Sequence, residues 1–339
     1  MLTERRAQLL SLIISEYVDT AAPVGSDAVA RRHGLTYSPA TIRNEMARLE
    51  EEGFVSHPHT SAGRVPTDRG YRYYVEALME ERDLPATLKR TIRHQFHQAG
   101  RDEDEWIQLA AAVLARAVEN VAVVTLPRAA TALLKRLELV GIQDNAALLV
   151  LVLQRARLKQ QVLLFPEPME QDQLTTITNH LNDVFAGMTA LEIGRSQAQM
   201  THLEWHVVNA VREMMHAADG GFDEARMEGV RNVLAQPEFA SSEKMLNMLE
   251  VLEQRNLTKL IPFRQISREG VTIVIGAEQQ DDVMHDYSIV LSPYGLPGGA
   301  TGAMAVLGPT RMHYSETIST VRYVAQLMSE MLETHYPEA

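Results

Sequence analysis

From residue 38 to residue 52 the chain reads Ser-Pro-Ala-Thr-Ile-Arg-Asn-Glu-Met-Ala-Arg-Leu-Glu-Glu-Glu. Ile42, Met46 and Leu49 recur at i, i+4 and i+7, the spacing of one buried stripe on a helix. The opposite side then carries Ala40, Asn44, Ala47, Arg48 and Glu51, with Thr41 and Arg43 on its flanks. A small, polar and basic face of this kind fits a DNA major groove. Arginine can pair two donors with guanine, and asparagine can pair bidentately with adenine. Thr41, Arg43, Asn44 and Arg48 are therefore the candidate base contacts. Glu50, Glu51 and Glu52 are expected at the far end, away from the bases.

The flanking elements must hold that helix in place. Thr3 can cap a helix to about Asp19, and Ser26 a second from Asp27 to His33, with Gly34 at its C′ position. Ser38 caps the third helix, and Pro39 occupies the one helical position where proline fits well. Two helices joined by a tight glycine turn form a helix-turn-helix. Phe54 to His57, a break at Pro58 and a return through Arg64 to Pro66 read as a hairpin, which makes the arrangement winged. Ser38, His57, His59, Ser61 and Arg64 are the candidate phosphate and sugar contacts. Thr67 caps a further helix with Tyr71, Tyr74, Val75 and Leu78 on one stripe.

Charge is distributed to match. The chain has 339 residues and a net charge of −12. Its first 75 residues carry nine arginines, no lysine and nine acids, so the whole excess of acid lies in the remainder. A neutral, arginine-only head on an acidic body meets a polyanion head first.

Other chemistries are excluded or unsupported. With no cysteine there is no disulfide, thiolate nucleophile, Cys-type zinc site or iron–sulfur cluster. His57 and His59 form an H-x-H pair without an evident third ligand, and His94 and His97 lack nearby acids, so no metal site is expected. "GLPGGATG" lacks the Lys-Ser/Thr of a P-loop and reads as a turn between strands. Arg311 is expected in a helix cap or an interdomain salt bridge. No nucleophile or carboxylate pair emerges, so no enzyme activity, catalytic residue or cofactor is expected. No apolar run reaches membrane-spanning length, and the stretch after Arg5 and Arg6 is a helix stripe, not a signal peptide. A cytoplasmic location is expected.

Beyond residue 84, helical sequence runs to about Glu119, with alanines at 110–112, 115 and 117 marking close packing. Strands are expected at Leu137–Ile142, Ala147–Leu153 and Gln161–Phe165. Helices follow at 170–186, 201–217 and 243–254, around a loop "ADGGFDE". Strands resume at Val271–Ile275, Tyr287–Leu291 and Gly302–Leu307, before a last helix, Ser315–Thr334. Strands, helices and strands again imply an α+β domain interrupted by an insertion.

The blocks "SPATIRNEMARLEEEGF" and "HTSAGRVPTDRGYRYYV" resemble the N-terminus of the heat-inducible transcription repressor family HrcA. The stretch "DYSIVLSPYGLPGGATGAMAVLGPTRMHYSETISTVRYVAQLM" resembles the same family's ending. The resemblance implies a winged helix-turn-helix at 1–78 and a GAF-like domain in two parts, 84–167 and 241–339. It also implies an inserted dimerisation domain at 168–240. A homodimer would bind an inverted-repeat DNA operator ahead of chaperone operons, with activity dependent on the GroEL chaperonin. The competing reading is a regulator that senses a small molecule through its GAF-like domain. If specificity comes from paired heads, an isolated 1–78 fragment binds operator more weakly than the whole chain. A fluorescence-anisotropy titration of both on one duplex checks this, and equal affinities contradict it.

Overall fold

The computed structural model describes the chain except for residues 1, 33–36, 59–62, 81, 101, 130–131, 155–156, 197, 219–224, 253–260, 264–269, 297–299 and 336–339. It is an α+β protein of two compact units. One comprises Met1–Pro127, Phe222–Leu296 and Gly302–Ala339, and the other Arg128–Gly221 and Pro297–Thr301.

The first unit begins with α1 (Glu4–Thr20), α2 (Ser26–Arg32) and α3 (Pro39–Glu51). A two-stranded antiparallel hairpin follows, β1 (Val55–Ser56) with β2 (Val65–Pro66). Then come α4 (Asp68–Tyr73), one wide turn at Tyr74–Leu78, α5 (Ala86–Gln98) and α6 (Glu103–Val118). Thr3 stands at the N-cap of α1 but makes no side-chain cap hydrogen bond, whereas Thr67 caps α4 by accepting from the Gly70 amide at 3.1 Å.

The unit's main sheet has β8 (Ala225–Glu228), β3 (Val121–Thr125), β11 (Ala300–Pro309), β10 (Tyr287–Gly295) and β9 (Thr272–Ile275), in that order. Its inner strands β3, β11 and β10 carry largely apolar runs because both faces are covered. On one face Ala122, Val124, Val290, Met304 and Val306 join α6, the closing helix α12 (Tyr314–His335) and the residues of α1–α4 in one continuous core. On the other, Val121, Val123, Ile289, Leu291 and Leu307 pack against α10 (Val230–Leu234), Phe239 and α11 (Ser242–Leu252).

Val121–Thr125 and Ala225–Glu228 were not expected as strands. The first is a short wholly buried run directly after a helix, where periodicity gives no signal. The second, Ala-Arg-Met-Glu, is a polar edge strand pairing β3, and it has no apolar alternation. Within the alanine-rich α6, Ala110, Ala111 and Ala115 are buried and Ala112 is exposed.

In the second unit, β5 (Leu134–Gln143), β6 (Ala146–Leu153) and β7 (Arg157–Leu164) form an antiparallel meander. Residues Arg128–Ala129, strand β4, pair the start of β11. Helices α7 (Gln171–Phe185), α8 (Ala190–Arg195) and α9 (His202–Ala218) cover one face only. Leu137, Leu139, Leu149, Leu151 and Leu163 point to those helices. On the other face Val140, Leu158, Val162 and Leu164 are at least half exposed. The unit boundary at Arg128 differs from the expected domain division at 167/168. Strands β5–β7 pack with α7–α9 because their leucines share that core, not with the 241–339 segment.

The tip of "GLPGGATG" (297–299) and most of "ADGGFDE" lie outside the described residues. Leu149 is fully buried between β6 and these helices. Leu149→Ala is expected to lower stability by about 2–5 kcal/mol, read from the denaturant midpoint at unchanged slope. A loss below about 1 kcal/mol contradicts that burial.

Candidate nucleic-acid interface

Helix α3 starts where its cap dictates. The Ser38 hydroxyl accepts from the Thr41 amide at 3.2 Å and lies 2.9 Å from the Thr41 hydroxyl. Pro39 follows at the first helical position. Ile42, Met46 and Leu49 are buried, while Arg43, Asn44 and Arg48 are exposed and Thr41 is half-exposed. The four expected base contacts thus lie on the accessible surface of one helix.

Ion pairs fasten α3 to α1. Arg6 bonds Glu45 at 3.0 Å and Glu52 at 2.5 Å, and Arg5 reaches Glu45 at 3.4 Å. The Arg5 guanidinium also lies 4.8 Å from the centre of the Tyr37 ring.

The hairpin is braced from two sides. The Val24 amide donates to the Arg64 carbonyl and the Arg64 amide to the Val24 carbonyl, both at 2.8 Å. Gly63 makes this approach possible, since a Cβ there would stand 2.4 Å from the Val24 carbonyl carbon. Across the hairpin, the Glu50 carboxylate takes the Arg64 guanidinium at 2.8 Å and stands 3.5 Å from His57. His57 Nδ1 and Arg64 are 2.9 Å apart.

Two of the acids at the far end of α3 thus pair with candidate contact residues. Glu50 occupies Arg64, whose side chain is only 14% exposed, and Glu51 takes Arg48 at 2.8 Å. Sequence spacing alone indicated neither Gly63 nor Glu50. The Arg48–Glu51 pair is an i,i+3 spacing that the sequence does contain. Among the described residues of this surface, Arg43 is exposed and has no carboxylate at ion-pair distance. His59 and Ser61 lie outside the described residues.

Comparison with known proteins adds identity to this geometry. The family described as "HrcA protein C terminal domain" matches residues 104–318. The heat-inducible transcription repressor HrcA of Roseiflexus castenholzii is 44% identical over 345 residues, covering 99% of this chain and 96% of the relative. That of Dehalococcoides mccartyi strain 195 is 40% identical over 339 residues, covering 99% and 97%. The chain belongs to the HrcA family.

A crystal structure titled only as a hypothetical protein superposes on this HrcA-family chain with a TM-score of 0.60. It is 22% identical and covers 98% of this chain and 99% of that one, so the fold extends over the full length. The family match itself lies C-terminal to α3 and the hairpin, but the full-length HrcA relatives align across both. Among the described residues, no helix of this HrcA chain is long and apolar enough to cross a membrane, and no cluster of three possible metal ligands occurs.

The hairpin brace is open to a direct test. Gly63→Ala forces a methyl group into the Val24 backbone and is expected to cost about 1–3 kcal/mol. Chemical denaturation measures it, and a change within about 0.5 kcal/mol contradicts the close approach.

Proposed function

We propose that this HrcA-family chain is a homodimeric, sequence-specific DNA-binding repressor of chaperone operons. Residues 1–78 act as a winged helix-turn-helix. Helix α3 enters the major groove of one operator half-site, and the β1–β2 hairpin is the wing on the flanking backbone or minor groove. The body is a GAF-like α+β domain, interrupted by the unit at 128–221. The observation that carries this reading is the surface of α3, where a capped helix buries Ile42, Met46 and Leu49 and turns Arg43, Asn44 and Arg48 outward.

Thr41, Arg43, Asn44 and Arg48 would meet bases, and Ser38, His57, His59, Ser61 and Arg64 phosphates or sugars. The Glu51–Arg48 pair is compatible with this, because exposed ion pairs are worth about 0–1 kcal/mol and a phosphate can replace the carboxylate. The more enclosed Arg64 would have to exchange Glu50 for phosphate at greater cost. Dimerisation fits the second unit. Its meander leaves Val140, Ile142, Leu158, Val162 and Leu164 exposed, and a second copy would cover that apolar face. An inverted-repeat operator would mirror the twofold symmetry. Family likeness supports a cytoplasmic protein whose activity depends on the GroEL chaperonin.

The reading is tested by selecting duplexes from a random-sequence pool with the full-length protein, with and without chaperonin, at near-physiological salt. Inverted repeats are the expected winners. An unenriched or asymmetric pool contradicts the reading, and enrichment unaffected by chaperonin contradicts the dependence. On the selected duplex, Arg43→Ala is expected to cost about 1–3 kcal/mol and relax preference at one base pair. Arg64→Ala is expected to weaken all sequences alike and reduce the salt slope by about 1. Equal loss on every sequence from both changes contradicts base reading by α3.

A further inference from the structure

The segment that carries the proposed DNA contacts is held to the body at three separate points, on α1, on α4 and at Glu80 and Arg82, each through directional polar groups. At the end of α1, Arg311 donates to the Val18 carbonyl at 2.5 Å. Its other nitrogens fork onto the Glu238 carboxylate at 2.5 and 3.2 Å. Val18 lies in the last turn, where helix carbonyls lack intrahelical partners and a cation is favoured by the helix dipole. The Arg311 side chain is only 12% exposed, so little solvent competes.

The second point is α4. Asp68 accepts from the Ala277 amide at 2.9 Å. Arg72 donates to the Ile273 carbonyl at 2.8 Å and to both oxygens of Glu278, through Nε at 2.7 Å. The Glu278 carboxylate is itself fixed by the Ile275 amide at 2.8 Å. Gly276, at φ +49°, is the residue that admits Asp68, since a Cβ there would stand 2.2 Å from its oxygen. The third point follows α4 in sequence. Ser315 and Ser319 on α12 donate to the carbonyls of Glu80 and Arg82. Beside it, the buried Tyr71 ring lies 5.8 Å from the Tyr314 ring.

Three points on α1, α4 and the 80–82 segment fix a body in orientation as well as position. Arginine forks add angular restraint that apolar packing lacks. Two DNA-contacting heads on flexible tethers would accept a wide range of half-site separations, whereas heads locked each to the body of its own protomer lose that freedom and accept a narrower range.

We propose that Asp68, Arg72 and Arg311, with Glu278 and Glu238, are positioning residues that set the half-site spacing this protein recognises, without touching DNA. The proposal rests on the DNA-binding reading above.

The test uses the full-length protein and the duplex it selects from a random pool. Spacers between half-sites are lengthened or shortened by one to six base pairs, and one duplex carries a single half-site. Wild-type affinity is expected to peak at one spacing and to fall at least about tenfold two base pairs away. Arg72→Met with Arg311→Met is expected to flatten that profile to within about threefold, with single half-site affinity unchanged. Glu278→Gln, which keeps the side chain's shape, is expected to flatten it partly and serves if the double variant does not fold. A peak as sharp in Glu278→Gln as in wild type overturns the proposal, as does a flat wild-type profile. A wild-type protein that prefers repeats but shows no spacing preference refutes only the positioning role. One that prefers no sequence refutes the DNA-binding reading as well.

Discussion

The structure depends on one burial event, the packing of α1 and α4 into the core formed by α6, α12 and one face of the main sheet. Tyr71 is its centre. The ring is 1% exposed and sits against Tyr314, whose hydroxyl lies 2.7 Å from that of Ser288 on β10 and donates to the Thr310 carbonyl. Burial pushes the hydroxyls of both tyrosines well above the usual phenol range, so they stay neutral at any physiological pH. The first 78 residues are therefore continuous with the sheet they pack on.

The electrostatics follow from that arrangement. Most arginines of the first 75 residues are neutralised locally, Arg5 and Arg6 by Glu45, Arg32 by Glu16, Arg48 by Glu51, Arg64 by Glu50 and Arg72 by Glu278. Some of these pairs hold elements together and others cover the proposed contact surface. Exposed pairs such as Arg48–Glu51 are weak and exchangeable. More enclosed ones, such as Arg311–Glu238, are costly to break singly because a charge would be left without its partner. The chain thus has cations available to phosphate at α3 and cations locked in place at the boundary with the body.

Local signals were legible in the sequence and distant ones were not. The Ser38 cap, Pro39 and the Ile42/Met46/Leu49 stripe define α3 to within a residue. The helices at 171–185 and 314–335 also lie close to where their periodicity places them. What failed depended on partners far along the chain. Glu50 meets Arg64 only because the hairpin folds back. The helix-cap and salt-bridge role expected of Arg311 is present, but its partners Val18 and Glu238 lie too far along the chain to be named from the sequence. Strand β3 is a short apolar run that becomes a strand through its neighbours β8 and β11. The boundary at Arg128 could not be read because β5–β7 alternate as any one-sided sheet does, and alternation does not say which helices cover it.

The central claim is that residues 1–78 and the main sheet form one cooperative unit. Native-state hydrogen exchange on the full-length protein tests it most directly, because protection reports the free energy of the opening that exposes each amide. Amides of α1 and of the α4 turn around Tyr71 should match the protection of those in β3 and β10 and lose it together as denaturant is added. If the α1 and α4 amides instead exchange through a separate opening, at markedly lower free energy than the sheet, the head is an independent module and the account is wrong.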